Sequence, residues 1–157
     1  MREIKFRGKR LSDDTWVYGY YIKHLDYTPG CFEEASSEKY KHYIMMDGFS
    51  DWSMPRGTVH YEVDPKTMGQ YTGIRDKADV DIYEDDIVRT PLKKYIQDSE
   101  NDEYVIYVNG SFRTKSISSN DKDYPLGAYG KLSKGYVDLE VTGNIHDNPE
   151  LKENIND

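Results

Sequence analysis

The sequence has almost no cysteine and no long apolar run. Its 157 residues contain one cysteine, Cys31, which excludes an internal disulfide and a multi-cysteine metal site. No stretch approaches the ~18 apolar residues that a membrane-spanning helix needs, and Met1–Phe6 shows no signal-peptide pattern. We therefore expect an intracellular protein that does not contact a membrane.

Hydrophobic residues are also scarce, at 36% of the chain against 32% charged residues. Acidic side chains outnumber basic ones by 29 to 21, for a formal charge of −8. Since an acidic protein repels a phosphate backbone, we do not expect a nucleic-acid partner. The 15 tyrosines nevertheless indicate a folded domain, in which amphipathic aromatic rings supply much of the buried surface.

Recognisable catalytic motifs are missing as well. The sequence contains no glycine-rich phosphate loop, serine elbow or zinc signature. The four histidines, His24, His42, His60 and His146, are far apart without an i, i+4 pair, so we expect ordinary histidines and leave cross-strand pairing open. A nucleophilic Cys31 would need a base held close to it, and no neighbour in sequence supplies one. We predict no enzyme, no catalytic residue, no bound metal and no cofactor.

One acidic cluster offers an alternative to that prediction. It consists of Asp79, Asp81, Glu84, Asp85 and Asp86. Clustered carboxylates suit Ca²⁺ or Mg²⁺, but neither this cluster nor Asp98–Glu103 has the spacing of a calcium-binding loop. We favour a solvated acidic edge, which also deters aggregation between strands, over a metal-dependent enzyme.

Alternating apolar and polar residues predict that the chain begins with a β-hairpin. Residues 3–9 alternate in this way, and Trp16–Ile22 does so again after a polar turn. The second strand would place Trp16, Tyr18, Tyr20 and Ile22 on one face. Gly19 within it indicates a bulge or a close approach by another segment. Short strands are also expected at Tyr43–Met46 and His60–Val63.

The second half of the chain contains the clearest hairpin signal. Asn109-Gly110 suits a turn in which both central residues have positive φ, and apolar or alternating segments flank it. Tyr136–Val141 is predicted as the last strand. Asn148–Leu151 is predicted to begin a short terminal helix, with Asn148 as the cap.

The residue pattern of Gly69–Val88 is too specific to be explained as a generic turn. It resembles the YopX family of small phage and prophage proteins, and matches near both ends of the chain support the resemblance. The matching segments are Lys5–Arg10, Trp16–Tyr20, Gln70–Lys77, Ile82–Glu84, Asp86–Val88 and Val141–Leu151.

The sequence departs from the family pattern in two places. Ala78–Asp81 stands where the family tends to have Asn-Gly, and Asp85 stands where it usually has glycine. If that glycine serves a left-handed turn, Asp is among the least costly replacements. The resemblance implies a β-rich fold with a small SH3-like barrel after Asp86. It implies no activity, because the family has no established one.

The predicted architecture is mainly β with minor α. It consists of an N-terminal antiparallel β portion (1–68), a connector (69–85) in which Gly73 turns the chain, a C-terminal SH3-like barrel (86–151) and a tail (152–157).

Two hypotheses account for the polar residues of the connector. Tyrosine and arginine are enriched at the energetic centres of interfaces, so a candidate interaction surface comprises Tyr71, Arg75, Asp76, Lys77 and Glu84. Alternatively, Tyr71 belongs to the core and Arg75 pairs with Asp76 to fix the loop, which we favour.

The function predicted from the sequence is a non-catalytic binding or accessory module in the cytoplasm of a bacterial host. Its partner would be a host or phage protein, or a second copy of the chain. The alternatives are an acidic anti-host protein that imitates DNA phosphates and a metal-dependent enzyme.

Overall fold

The structure is a computed structural model that describes residues 3–25, 40–49, 53–54, 56–89, 102–117, 123–126 and 139–148. Among these residues every strand pair is antiparallel, and the predicted mainly β fold is confirmed. The strands are β1 (Phe6–Lys9), β2 (Trp16–Leu25), β3 (Tyr40–Asp47), β4 (Thr58–Glu62), β5 (Gly69–Arg75), β6 (Asp81–Tyr83), β7 (Asp86–Arg89), β8 (Asp102–Val108), β9 (Ser111–Ser116), β10 (Asp123–Pro125) and β11 (Glu140–Asn144).

The chain divides into two compact units, of which the first is Ile4–Gln70 and the second begins at Tyr71. The division falls inside β5, which belongs to the predicted connector. The first two residues of β5 pair with β1, and its later residues pair with β6. A 3-10 helix, Pro65–Thr67, precedes β5.

The N-terminal unit has the strand order β4-β3-β2-β1. The first half of β2 pairs with β1 and the second half with β3, and the change of partner follows Gly19. A Cβ atom on Gly19 would lie 2.2 Å from the carbonyl oxygen of Met45. Only glycine allows this approach of two backbones, so the close approach predicted at Gly19 is confirmed.

The sheet of this unit curls until the end of β1 meets the end of β4. Arg10 forms an isolated antiparallel bridge with Val63, and the amide of Leu11 donates to the carbonyl of Glu62 at 3.0 Å. The curl encloses apolar side chains on one face of the sheet. The core consists of Val17, Ile44 and Val63, packed with Phe6, Tyr21, Tyr61 and Met68.

The second unit contains a sheet of order β10-β9-β8-β7-β11. The predicted Asn109-Gly110 hairpin is confirmed: it joins β8 to β9, and φ is positive at both residues, 51° and 79°. In the part of the chain that the structure describes, the two outermost strands of this order, β10 and β11, do not pair with each other. The last strand is Glu140–Asn144; residues 136–138 of the predicted strand and 149–151 of the predicted helix lie outside the described residues.

Strand β7 is the centre of the second unit because both of its faces are buried. Ile87 packs into one apolar cluster and Val88 into another, at 2% and 0% exposure. Burying such a side chain contributes about 1.5–3 kcal/mol. The first cluster contains Ile87, Tyr104, Ile117 and Ile145, and the second contains Val88, Ile82, Val105, Leu126 and Leu139.

Gly73 does not turn the chain as predicted, because it lies within β5. The register shifts between Tyr71, which faces Tyr83, and Arg75, which faces Asp81. Gly73 has φ +83° there, so the extra residues of β5 form an irregular bulge. The hydroxyl of Thr72 donates to the carbonyl of Ile82 at 2.9 Å and replaces a backbone bond that the bulge removes.

Candidate functional site

A buried carboxylate organises the loop between β5 and β6. Asp76 is 2% exposed. One oxygen, Oδ1, accepts the amide hydrogens of Ala78 at 2.7 Å and Val80 at 2.9 Å. The other oxygen, Oδ2, accepts the amide hydrogen of Val141 at 3.1 Å. The side chain therefore satisfies backbone donors within the loop and also fastens the loop to β11.

The two cations beside Asp76 each bind another carboxylate. Arg75 donates to Asp79 at 2.7 Å, and the Asp79 carboxylate raises the pKa of Arg75 above its ordinary value. Lys77 donates to Glu140 at 2.6 Å. The predicted pairing of Arg75 with Asp76 is wrong, because the Asp76 carboxylate is turned inward to the backbone amides.

The turn between β6 and β7 is fixed by two consecutive aspartates. Asp85 has φ +65°, so the predicted left-handed position is confirmed. Its amide donates to the carbonyl of Val105 at 2.9 Å, and its carbonyl accepts from the amide of Ile145 at 3.0 Å. The Asp86 side chain, 1% exposed, accepts the amide hydrogen of Tyr83 at 2.7 Å and closes the turn.

His146 reaches the same turn from the end of the chain. Its Nε2 lies 3.0 Å from the Asp85 carboxylate, and its side chain is 8% exposed. The Asn144 side chain accepts the amide hydrogens of His146 and Asp147, each at 2.9 Å, and holds the imidazole in place. Sequence reasoning missed this pair because 61 residues separate its members. The available signal was that both residues lie in or beside segments that match the family.

The other described histidines lie in the N-terminal unit. His42 Nδ1 is 2.7 Å from the hydroxyl of Tyr21, and burial raises the pKa of that hydroxyl. His60 packs edge-on against Tyr43, with 5.6 Å between ring centroids. His24 is exposed near the end of β2. The contacts of His42 and His60 described above are therefore with tyrosines of neighbouring strands, and not with a second histidine.

The five residues of the predicted interaction surface differ in burial, and two of them are in the interior. Tyr71 is 6% exposed, and its ring centroid lies 5.5 Å from that of the tyrosine opposite it. Asp76 is also buried, as the β5–β6 loop requires. Solvent reaches Arg75 and Lys77, while Glu84 is half-buried.

The acidic cluster is likewise divided among different structural roles. Asp79 and Asp81 both face the Arg75 guanidinium, and Asp85 faces His146. Within the described ranges, no three His, Cys, Asp or Glu side chains are grouped as metal ligands would be. Cys31 lies outside those ranges.

An aromatic surface lies on the N-terminal sheet, on the side opposite the core. Tyr18, Tyr20 and Ile22 of β2 are 47%, 60% and 38% exposed. Alternation along the strand places them on one face, as the sequence predicted, and the structure turns this face outward. The register places Met45 beside Tyr20 and Tyr43 beside Ile22. We call these five residues the outer face.

Paired charges border the outer face. Lys41 lies 4.0 Å from Glu62, and Arg56 lies 3.9 Å from Asp47, with all four side chains at least 39% exposed. Apolar and aromatic side chains at the centre with charges around them are the composition of a protein interface.

Comparison with known proteins supports the fold. A family model described as YopX protein matches residues 5–153. The crystal structure of protein EF1440 from Enterococcus faecalis is similar, with a TM-score of 0.51 and 18% sequence identity; the alignment covers 96% of this chain and 99% of that one. No curated protein matches the sequence. Among the described residues, no helix is long and apolar enough to cross a membrane.

Proposed function

This chain belongs to the YopX family, and on that premise we propose that it is a non-catalytic binding module encoded by a phage or prophage. The observation that carries the proposal is the outer face, with Tyr18, Tyr20 and Ile22 turned to solvent on a sheet whose other side is packed. A sheet needs only one buried face to be stable, so exposed large apolar side chains on its second face are typical of a surface that contacts a partner.

The partner that suits the outer face is a protein of the host or of the phage. Tyrosine contributes a large, rigid contact area and is enriched among the residues that dominate binding energy. The unit that carries the outer face also lacks the positive net charge of a nucleic-acid-binding domain, because residues 4–70 contain ten acidic and nine basic side chains. A surface near electrical neutrality gains little from a phosphate backbone.

A second contact surface is proposed at Arg75, Lys77 and Glu84. Its support is the rigidity of the backbone beneath it, since the buried Asp76 fixes the loop that carries the two cations. Preorganised charged groups lose less entropy on binding than mobile ones do.

The proposal extends to the fold and the cellular setting. An SH3-like arrangement of the strands after Asp86 is supported by the five-stranded antiparallel order around β7. A cytoplasmic location is supported by the single cysteine, since reducing compartments do not sustain disulfides.

The two other candidate functions have less support. Imitation of DNA requires a continuous acidic surface, and residues outside 4–70 do carry 19 acidic against 12 basic side chains. Lys and Arg are interspersed there, however, in pairs such as Arg89–Asp102 and Lys77–Glu140. A metal-dependent enzyme would show heat of binding with Ca²⁺, Mg²⁺ or Mn²⁺ in calorimetry, and we expect none.

Capture of partners from infected cells tests the proposal. The bait is the full chain, compared with Tyr20→Ser/Ile22→Ser and with a matched control, Tyr107→Ser/Tyr124→Ser, which removes two rings of 54% and 47% exposure from the second unit. We expect a protein that the wild type and the control capture and that the outer-face variant loses. Equal capture by all three baits would contradict a role for the outer face.

A further inference from the structure

The turn that joins β8 to β9 places an exposed asparagine directly before an exposed glycine. Within the described ranges, neither the side-chain amide of Asn109 nor the backbone N–H of Gly110 has a hydrogen-bond partner. The strand ladder ends at the pair Val108–Ser111, which flanks the two turn residues. A Cβ atom at Gly110 would meet nothing within 4 Å. The nitrogen of Gly110 is therefore accessible to solvent and to the neighbouring side chain.

These two groups can react with each other. The Gly110 nitrogen forms a bond to Cγ of Asn109, while the bond between Cγ and the side-chain nitrogen breaks. The side-chain nitrogen leaves as ammonia and takes the proton that Gly110 gives up. Water then adds to either carbonyl carbon of the cyclic imide and opens the ring. The product is aspartate or isoaspartate, and water is the co-reactant.

We propose that Asn109 is a site of spontaneous deamidation in the folded protein, and that its isoaspartyl product opens the β8–β9 hairpin. The proposal is independent of the binding role of the outer face. Ring closure requires rotation about the Cα–Cβ and Cα–C bonds of Asn109. Because both turn residues lie outside the strands and are exposed, this rotation disturbs at most the adjoining Val108–Ser111 pair.

Asn144 shows what a protected asparagine looks like in the same chain. Its Oδ1 accepts the amide hydrogens of His146 and Asp147, each at 2.9 Å, and its Nδ2 donates to the Asp147 carboxylate at 2.6 Å. The nitrogen that would attack belongs to Ile145, and its hydrogen is donated to the carbonyl of Asp85 at 3.0 Å. Both reacting groups are therefore held apart by hydrogen bonds, and the residue is 8% exposed.

Asn148, the remaining asparagine that the structure describes, is protected by its neighbour in sequence. The next residue is Pro149, whose nitrogen carries no hydrogen. This nitrogen cannot lose a proton to form the imide. Among the described asparagines, Asn109 alone combines a free amide, a following glycine and an unbonded N–H group.

The two products differ in their effect on the hairpin. Aspartate tolerates positive φ, and Asp-Gly is a preferred pair in two-residue turns, so the aspartyl form keeps the strand register. Isoaspartate adds a methylene group to the main chain, and the turn no longer has the length that sets this register. The ring contact next to the turn joins Tyr107 and Phe112, with centroids 5.0 Å apart. We expect the isoaspartyl form to lose it.

Ageing of the full chain in neutral buffer tests the reactivity of the native turn. Tandem mass spectrometry of proteolytic fragments measures, at each asparagine, the mass gained when the side-chain amide becomes a carboxyl group. We expect Asn109 to convert about tenfold or more faster than Asn144, because several hydrogen bonds must break first at Asn144. Chain aged in urea verifies that the method detects the reaction. An Asn109 that stays unconverted in the folded chain overturns the proposal, as do equal rates at the two asparagines.

Urea unfolding of the separated products tests the effect on the hairpin. Ion exchange separates the aged forms, since both products gain a negative charge, and enzymatic methylation of isoaspartyl carboxylates identifies the isoaspartyl form. We expect this form to unfold at a lower urea concentration than fresh protein, and Asn109→Asp to unfold with fresh protein. Asn109→Gly, aged in parallel, retains a preferred turn pair and controls for changes elsewhere. An isoaspartyl form as stable as fresh protein contradicts the opening of the hairpin.

Discussion

The carboxylate of Asp76 accepts the amide hydrogen of Val141 at 3.1 Å, although 65 residues separate the two in sequence. Lys77 contacts Glu140 in the same region, and Asp85 contacts His146. The central segment that identifies the family is thus tied to the segment near the end of the chain that identifies it as well. The distinctive residues of Gly69–Val88 are therefore explained first by the contacts that they make within the fold.

Replacing Asp76 with Ala should destabilise the second unit by about 3 kcal/mol, because backbone donors lose a charged acceptor in a buried site. Asp76→Asn is the matched control. Its single side-chain oxygen can still accept some of these amide hydrogens, so we expect a smaller loss of stability. Urea unfolding monitored by circular dichroism provides the measurement. Equal stability of wild type and Asp76→Ala would contradict the role of this carboxylate.

Replacing Gly19 with Ala should cost about 3 kcal/mol, because the new Cβ would clash with the Met45 carbonyl. Gly57→Ala is the matched control: its Cβ would meet no atom within 4 Å, and we expect a change within about 0.5 kcal/mol. Thermal unfolding of both variants provides the comparison. A Gly19→Ala protein as stable as Gly57→Ala would show that the two backbones are farther apart.

Asp79 has φ +69°. The backbone preference of the residue that replaces it should therefore change the free energy of unfolding more than the loss of the exposed ion pair with Arg75 does. We expect Asp79→Ala to destabilise by about 1 kcal/mol, since alanine tolerates the left-handed region poorly. Asp79→Gly should lie near the wild type, since glycine has no steric cost there. The order of the two unfolding midpoints decides the matter, and the reverse order would contradict the backbone conformation.

Burial raises the pKa of Tyr21 above its ordinary value of 10.0. The folded chain therefore holds this proton more tightly than the unfolded chain, so its contribution to stability is complete below pH 10 and is lost as the pH rises through the folded pKa. Tyr21→Phe cannot ionise. The difference in free energy of unfolding between the wild type and Tyr21→Phe, measured by urea titration, should therefore become smaller between pH 8 and pH 11. A deficit that stays constant would contradict the raised pKa.

Local sequence signals predicted the elements whose causes are local. Asn109-Gly110 specified its turn through positive φ at both residues. Alternation in β2 predicted that Tyr18 and Tyr20 share one face of the sheet, although it did not predict that this face is the exposed one. Asp85 was recognised as a left-handed residue from the family pattern.

Contacts between distant segments were not predictable in this way. Nothing near Asp76 in sequence indicates that Val141 supplies a donor, and the simpler expectation of a pair with Arg75 was wrong. The meeting of β1 with β4 at Arg10 and Val63 depends on the curl of the whole sheet. Gly73 was predicted to turn the chain. Its φ is positive, but a bulge within a strand and a turn can both require a glycine with positive φ, so the residue type alone does not distinguish them.

We propose that the family-specific loop first maintains the fold, and that the outer face provides the main contact with a partner. The most direct measurement compares Asp76→Asn with Tyr20→Ser/Ile22→Ser, determining for each the free energy of unfolding and the affinity for the captured protein. We expect the Asp76 variant to lose stability and keep its affinity, and the outer-face variant to lose affinity and keep its stability. The opposite pattern, with binding lost on Asp76→Asn in a fully folded chain, would contradict the account.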